Sequence, residues 1–165
     1  MTETATGAVQ YAEDWGVVGQ SAAAAALRHA LISGRLTHAY LLSGPEGAGK
    51  ATLARRLAQA LICKAGVRPC LECRTCRQVD SGDAPDIEGI TIGGVCDEGN
   101  HDHASDNSTR IRICQVRRLE RVANLSPFAA ARRIFIIDTA DELQPEGANA
   151  LLKTLEEPPA PSLLI

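Results

Sequence analysis

The stretch GPEGAGKATLA, Gly44 to Ala54, places Gly44, Gly49 and Lys50 in the spacing G-x-x-x-x-G-K. Glycine lets backbone N–H groups turn toward a polyphosphate, a helix start near Lys50 adds the positive end of its dipole, and the ammonium neutralises the outer phosphates. Such a loop needs a strand before it and a helix after it. AYLLS, Ala39 to Ser43, is a short apolar run bounded by turn residues and reads as a buried parallel strand. KATLARRLAQALIC, Lys50 to Cys63, repeats leucine at 53, 57 and 61 and reads as an amphipathic helix. The order strand, glycine loop, helix predicts a nucleotide loop built from Gly44, Pro45, Glu46, Gly47, Ala48, Gly49, Lys50, Ala51 and Thr52.

Ala51 departs from the usual pattern. A serine or threonine there would supply a hydroxyl to magnesium between the last two phosphates, and Thr52 points about 100 degrees away on a helix. Farther along, IFIID ends in Asp138, a carboxylate suited to magnesium through water. The next residue is Thr139, where common ATPases of this type carry a glutamate to orient the attacking water. ATP with magnesium is therefore expected to bind more readily than to react.

The remaining chain alternates helices and strands. VVGQSAAAAALRHALISGRL reads as a turn and an alanine-rich helix ending near Gly34, after a loose polar tail over 1–14. PDIEGITI (85–92), RIFIID (133–138) and SLLI at the end read as strands. IRICQVRRLERVANL places Ile113, Val116, Leu119, Val122 and Ala123 on one helical face before SPF at 126–128, and PEGANALLKTLEEPP is a helix opened by Pro145. The segment 93–110 is a loop insertion rich in Gly, Asp, Asn, Ser and His. This alternation predicts a parallel α/β sheet sandwiched by helices, in one ordinary domain of 165 residues.

Composition bounds the function. Aromatic content of 3% argues against base stacking, and a net charge of -3 offers no overall basic field for nucleic acid. Arg117, Arg118, Arg121, Arg132 and Arg133 would suit a nucleic-acid-binding module, although arginines on helix surfaces are usually solvated faces. No stretch approaches the roughly 18 apolar residues that span a bilayer, and the start carries neither a secretory nor a transit signal, which predicts a cytoplasmic chain with no membrane contact.

Six cysteines in such a chain are expected to be thiols or metal ligands. Cys63, Cys70, Cys73 and Cys76 form C-x6-C-x2-C-x2-C, a set that can surround one zinc with no open position. Such a structural zinc would contribute about 10 to 16 kcal/mol of apparent binding energy to folding the loop. Cys96, His101 and His103 match no common metal spacing, and Cys114 reads as a small buried apolar residue.

A glycine loop, a four-cysteine insertion after its helix and ANALLKTLEEPP together resemble the N-terminal AAA+ module of bacterial DNA polymerase III clamp-loader subunits, over about Trp15 to Ile165. In that likeness VVGQ, 17–20, corresponds to the segment whose backbone meets adenine, which adds Val18 to the site residues. Gamma/tau subunits typically read G-K-T and D-E at the two motifs. Delta-prime subunits tolerate loss of both, as at Lys50-Ala51 and Asp138-Thr139, so the chain is closer to delta-prime.

The resemblance implies an accessory subunit of a nucleotidyltransferase complex with absent or weak ATPase activity of its own. Its partners would be gamma/tau and delta subunits and, through the complex, the sliding clamp and primed DNA. A gamma/tau-like active ATPase is the alternative. The family runs to about twice this length, so the resemblance also implies a chain truncated inside its fourth strand, with AYLLS left beside it as an apolar edge.

Overall fold

The computed structural model describes residues 9–96, 108–159 and 161–165. The chain divides into two compact units: one runs to Leu36 and resumes over Ser43–Ser81, the other comprises Thr37–Leu42 and Gly82–Ile165. Among the described residues no helix is long and apolar enough to cross a membrane.

In the first unit, α1 (Ser21–Ile32) buries Ala24, Leu27 and Leu31, the i, i+3, i+7 stripe of an amphipathic helix. The second helix, α2 (Lys50–Ile62), starts at the glycine loop as expected and buries Leu53, Ala54, Leu57, Ala58, Gln59 and Ala60. Leu61, read as part of its stripe, is only half-buried. Beyond it lies α3 (Arg74–Ser81), which the sequence reading missed because RTCRQVDS buries only Cys76 and Val79 and so shows no apolar stripe. Two short strands, β1 (Gln10–Tyr11) and β2 (Val67–Arg68), pair in parallel, Gln10 with Val67 and Tyr11 with Arg68. The tail read as loose through Asp14 is thus held at Gln10 and Tyr11, by a partner strand more than fifty positions away.

The second unit is built on a parallel sheet in the order β3 (Ile87–Ile90), β4 (Arg133–Ile137), β5 (Ser162–Leu164). Its register aligns Ile87 with Ile134 and Ile134 with Leu163. The expected strand Ala39–Ser43 is corrected to a single parallel bridge between Ala39 and Leu164, carried by Tyr40 N–H on the Leu164 carbonyl (3.0 Å) and Leu164 N–H on the His38 carbonyl (2.9 Å). It does lie beside the fourth apolar run, as the resemblance implies. Leu41 is 85% exposed, and among the described residues no further bridge extends the pairing.

Helices α4 (Ile113–Ala123) and α5 (Pro145–Glu156) pack on each other. Pro145 sits at the first helical position, where its missing N–H costs nothing. The core joins Ile90, Ile111, Val116, Leu119, Ala123, Phe135, Leu151 and Leu164. The α4 face differs in part from expectation: Val116, Leu119 and Ala123 are buried with Cys114 and Gln115, whereas Val122 is packed at the margin.

Candidate functional site

The glycine loop joins Ser43 to α2 inside the first unit. Gly47 (φ 73°) and Gly49 (φ 84°) occupy left-handed backbone that side chains disfavour, which is the local reason for glycine at both places. Ala48 N–H donates to the Pro45 carbonyl at 3.3 Å, closing a turn. Lys50 Nζ donates to the carbonyls of Gly44 (2.9 Å) and Pro45 (2.8 Å). Gly44, Pro45, Glu46 and Gly47 are exposed, and Ala48, Gly49, Lys50, Ala51 and Thr52 are half-buried. The first helical bond of α2 runs from Leu53 N–H to the Gly49 carbonyl at 2.9 Å, so Lys50, Ala51 and Thr52 contribute the amides of the opening turn, a position that favours anions.

The VVGQ segment meets this loop. Gln20 Nε2 donates to the Ala48 carbonyl at 2.8 Å, and Val17 Cγ1 lies 3.7 Å from where a side chain on Gly49 would begin. Val18 is 96% exposed, so its side chain packs on almost nothing among the described residues.

The four predicted cysteines converge. Their sulfurs all lie within 4.8 Å of one another, with Cys63–Cys70 at 3.6 Å, Cys70–Cys76 at 3.9 Å and Cys63–Cys73 at 4.0 Å. Four thiolates at about 2.3 Å from one zinc would stand about 3.8 Å apart, so the donor set fits a tetrahedral thiophilic ion. Cys63 caps the end of α2 and Cys76 lies in α3, while Cys70 and Cys73 occupy the turn between.

Backbone amides reach the sulfurs across both short intervals, Cys73 N–H to Cys70 Sγ at 3.3 Å and Cys76 N–H to Cys73 Sγ at 3.4 Å. The amides of Cys73 and Glu72 pull the Cys70 thiol down to about 6, whereas burial pushes Cys63 and Cys76 up. Cys70 therefore forms its thiolate ahead of Cys63 and Cys76.

Asp138 lies in the second unit at the end of β4, exposed, with its N–H on the Ile90 carbonyl at 3.0 Å. Thr139 follows in left-handed backbone (φ 56°), unusual for a β-branched residue, and donates its hydroxyl to the Asp138 carbonyl at 2.6 Å. Cys96 is fully buried and Cys114 nearly so, while His101 and His103 lie outside the described residues.

Sequence reading missed the polar residues that brace these elements. Gln59 is fully buried and Arg56 partly so, and together they link α2 to the cysteine loop. Gln115 accepts from Arg112 N–H at 2.9 Å and donates to the Thr91 carbonyl at 2.8 Å. Asp86 accepts from the amides of Phe128 (2.5 Å), Ala129 (2.8 Å) and Ala130 (2.7 Å). Only polarity within otherwise apolar stretches could have flagged them.

A family model described as DNA polymerase III, delta subunit, matches residues 19–165. This chain belongs to the DNA polymerase III clamp-loader subunit family. Among curated clamp-loader relatives, the DNA polymerase III gamma subunit of Buchnera aphidicola is 34% identical over 91% of this chain and 37% of its own length. The tau subunit of Bacillus subtilis is 36% identical over 90% of this chain and 24% of its own, and the gamma/tau subunit of Mycobacterium tuberculosis 39% over 87% and 23%. A solved gamma subunit-related protein from Thermotoga maritima aligns with 53% of this chain and 27% of its own at 24% identity and a TM-score of 0.38. The chain therefore spans under two-fifths of the length of these clamp-loader relatives.

Proposed function

We propose that this chain is the nucleotide-loop module of a delta-prime-like clamp-loader subunit, which holds ATP weakly or without hydrolysing it and helps an assembly of gamma/tau and delta subunits place the sliding clamp on primed DNA. The observation that supports this reading is a glycine turn leading into the start of α2, with Ala51 and Thr139 at the places where reactive groups are expected. Ala51 opens α2 with a methyl where a hydroxyl would grip the cation, and the Thr139 hydroxyl is already given to the Asp138 carbonyl. The backbone amides, the helix start and Lys50 remain to bind phosphate. Val18 would lie against the base, and the role of Asp138 toward magnesium rests on its place in the sequence pattern.

The four cysteines would hold a zinc that contributes folding energy to residues 63–76 and takes no part in chemistry, since four thiolates leave it no open position. An accessory role within a polymerase complex in the cytoplasm follows from the same reading. Equilibrium binding of a fluorescent ATP analogue, set beside phosphate release from ATP, tests it. Binding with no release above background supports the reading, and steady release that depends on Lys50 rejects it.

The curated relatives are gamma and tau subunits, and that favours one second reading: an active ATPase in which Thr52 or a water recruits magnesium. The same phosphate-release measurement separates the two.

A further inference from the structure

Arg56 is the centre of a hydrogen-bonded strut within the first unit. Its Nε donates to the Trp15 carbonyl at 3.0 Å, and its Nη1 donates to Gln59 Oε1 at 2.8 Å and reaches Asp80 Oδ1 at 3.4 Å. Gln59, with no exposed surface, donates from Nε2 to the Cys76 carbonyl at 2.8 Å. Two side chains one helical turn apart on α2 thus join the backbone of a cysteine in the cluster to the backbone of Trp15.

The chain leading to Trp15 also rests on the cysteine loop. Gln10 N–H donates to the Gly66 carbonyl at 3.3 Å and Ala12 N–H to the Arg68 carbonyl at 2.8 Å, both acceptors lying between Cys63 and Cys70. On the other side of Trp15, Gln20 holds the Ala48 carbonyl of the glycine loop at 2.8 Å. A buried glutamine is costly unless both ends of its amide are satisfied. Here one end needs the Cys76 carbonyl in place and the other needs the Arg56 guanidinium. Order at the cysteines is therefore a condition for order at the strut.

We propose that Arg56 and Gln59 are positioning residues through which a metal ion held by Cys63, Cys70, Cys73 and Cys76 fixes the Trp15–Gln20 segment. The inference rests on the metal reading above and extends it from folding a loop to placing the segment assigned to the base.

Trp15 is the only tryptophan of the chain and is 1% exposed, so its emission reports on this segment directly. The test uses the full chain stripped of metal, with zinc added while tryptophan emission is followed and cobalt added in parallel while thiolate-to-metal absorption is followed. Wild type is expected to shift to the blue with one equivalent of zinc. In Arg56→Met and Gln59→Leu the cobalt absorption should persist while the emission shift falls below a third of the wild-type value. Arg56→Lys keeps the charge but lacks the fork that serves two acceptors, and it answers the same question if Arg56→Met takes up no cobalt. A full emission shift in the metal-loaded variants overturns the strut, as does a wild-type chain that takes up cobalt with no zinc-dependent change at Trp15. No cobalt uptake by wild type overturns the metal reading and the coupling together, which sets that result apart from failure of the strut alone.

Discussion

Lys50 donates from Nζ to the carbonyl oxygen of Gly44, 2.9 Å away, so the loop closes on its own cation. The bond is exposed to solvent and contributes about 1 kcal/mol or less. An arriving phosphate would compete for the ammonium with a full negative charge. Lys50→Ala should therefore lower ATP-analogue affinity at least tenfold while moving the urea midpoint little, as titration and denaturation of the same preparation will show.

The missing reactive groups yield a gain-of-function prediction. Ala51→Thr supplies a hydroxyl in the first turn of α2, and Thr139→Glu supplies a carboxylate after Asp138. Left-handed backbone at Thr139 costs an unbranched glutamate about 1–2 kcal/mol, no more than it costs the β-branched threonine, so the exchange should not unfold the chain. Phosphate release should rise above the wild-type level in the double variant and less in either single one. An unchanged double variant that still binds the analogue would show that the lost activity has another cause.

Metal content should follow the cysteines one by one. Wild type should carry one thiophilic ion per chain, with cobalt giving intense thiolate absorption. Cys70→Ser and Cys76→Ser should weaken uptake at least tenfold, while Cys114→Ser leaves it unchanged because Cys114 lies in the other unit. In metal-free protein, iodoacetamide at neutral pH should modify Cys70 ahead of the buried Cys63 and Cys76, as peptide mapping will read.

Asp86 predicts an acid limb of stability. Burial alone would raise its pKa, but the amides of Phe128, Ala129 and Ala130, with Arg133 nearby, outweigh it and hold the carboxyl below its ordinary value of 3.8. Because the folded value is depressed, the stabilisation is present in full above about pH 4 and is lost as pH falls through the folded value. Asp86→Asn should cost about 2 kcal/mol at neutral pH. The gap from wild type in urea midpoint should stay constant from about pH 5 to pH 8 and close below about pH 4.

Gly147 lies in α5 where α4 comes close. A Cβ there would stand 3.3 Å from Val116 Cγ2 and 3.6 Å from Ile113 Cα. The helix preference of alanine, about 1 kcal/mol, opposes this crowding, so Gly147→Ala should be near neutral. Gly147→Leu adds bulk with no space to fill and should cost about 1–3 kcal/mol in chemical denaturation.

What the chain's own order of residues determines is what short spacing encodes. The glycines at 47 and 49, the lysine after them and the leucines of α2 specify a loop and a helix through local dihedrals and a 3.6-residue period, and both formed where expected. The runs at 85–92, 133–138 and 162–165 read as strands, and strands formed within each, while four cysteines within a short stretch can meet without distant help.

Tertiary structure alone decided the features whose partners are far apart in sequence. Ala39–Ser43 has the composition of a strand, yet pairing is a property of neighbours, and one bridge to Leu164 is all that formed among the described residues. Gln59 finds Cys76, Gln115 finds Thr91 and Asp86 finds Phe128 across 17, 24 and 42 positions. A buried polar side chain is stable only with its partner in place, and no local period announces that partner. The same holds for Arg56 and Trp15, 41 positions apart, whose contact ties the start of the described chain to the helix behind the glycine loop.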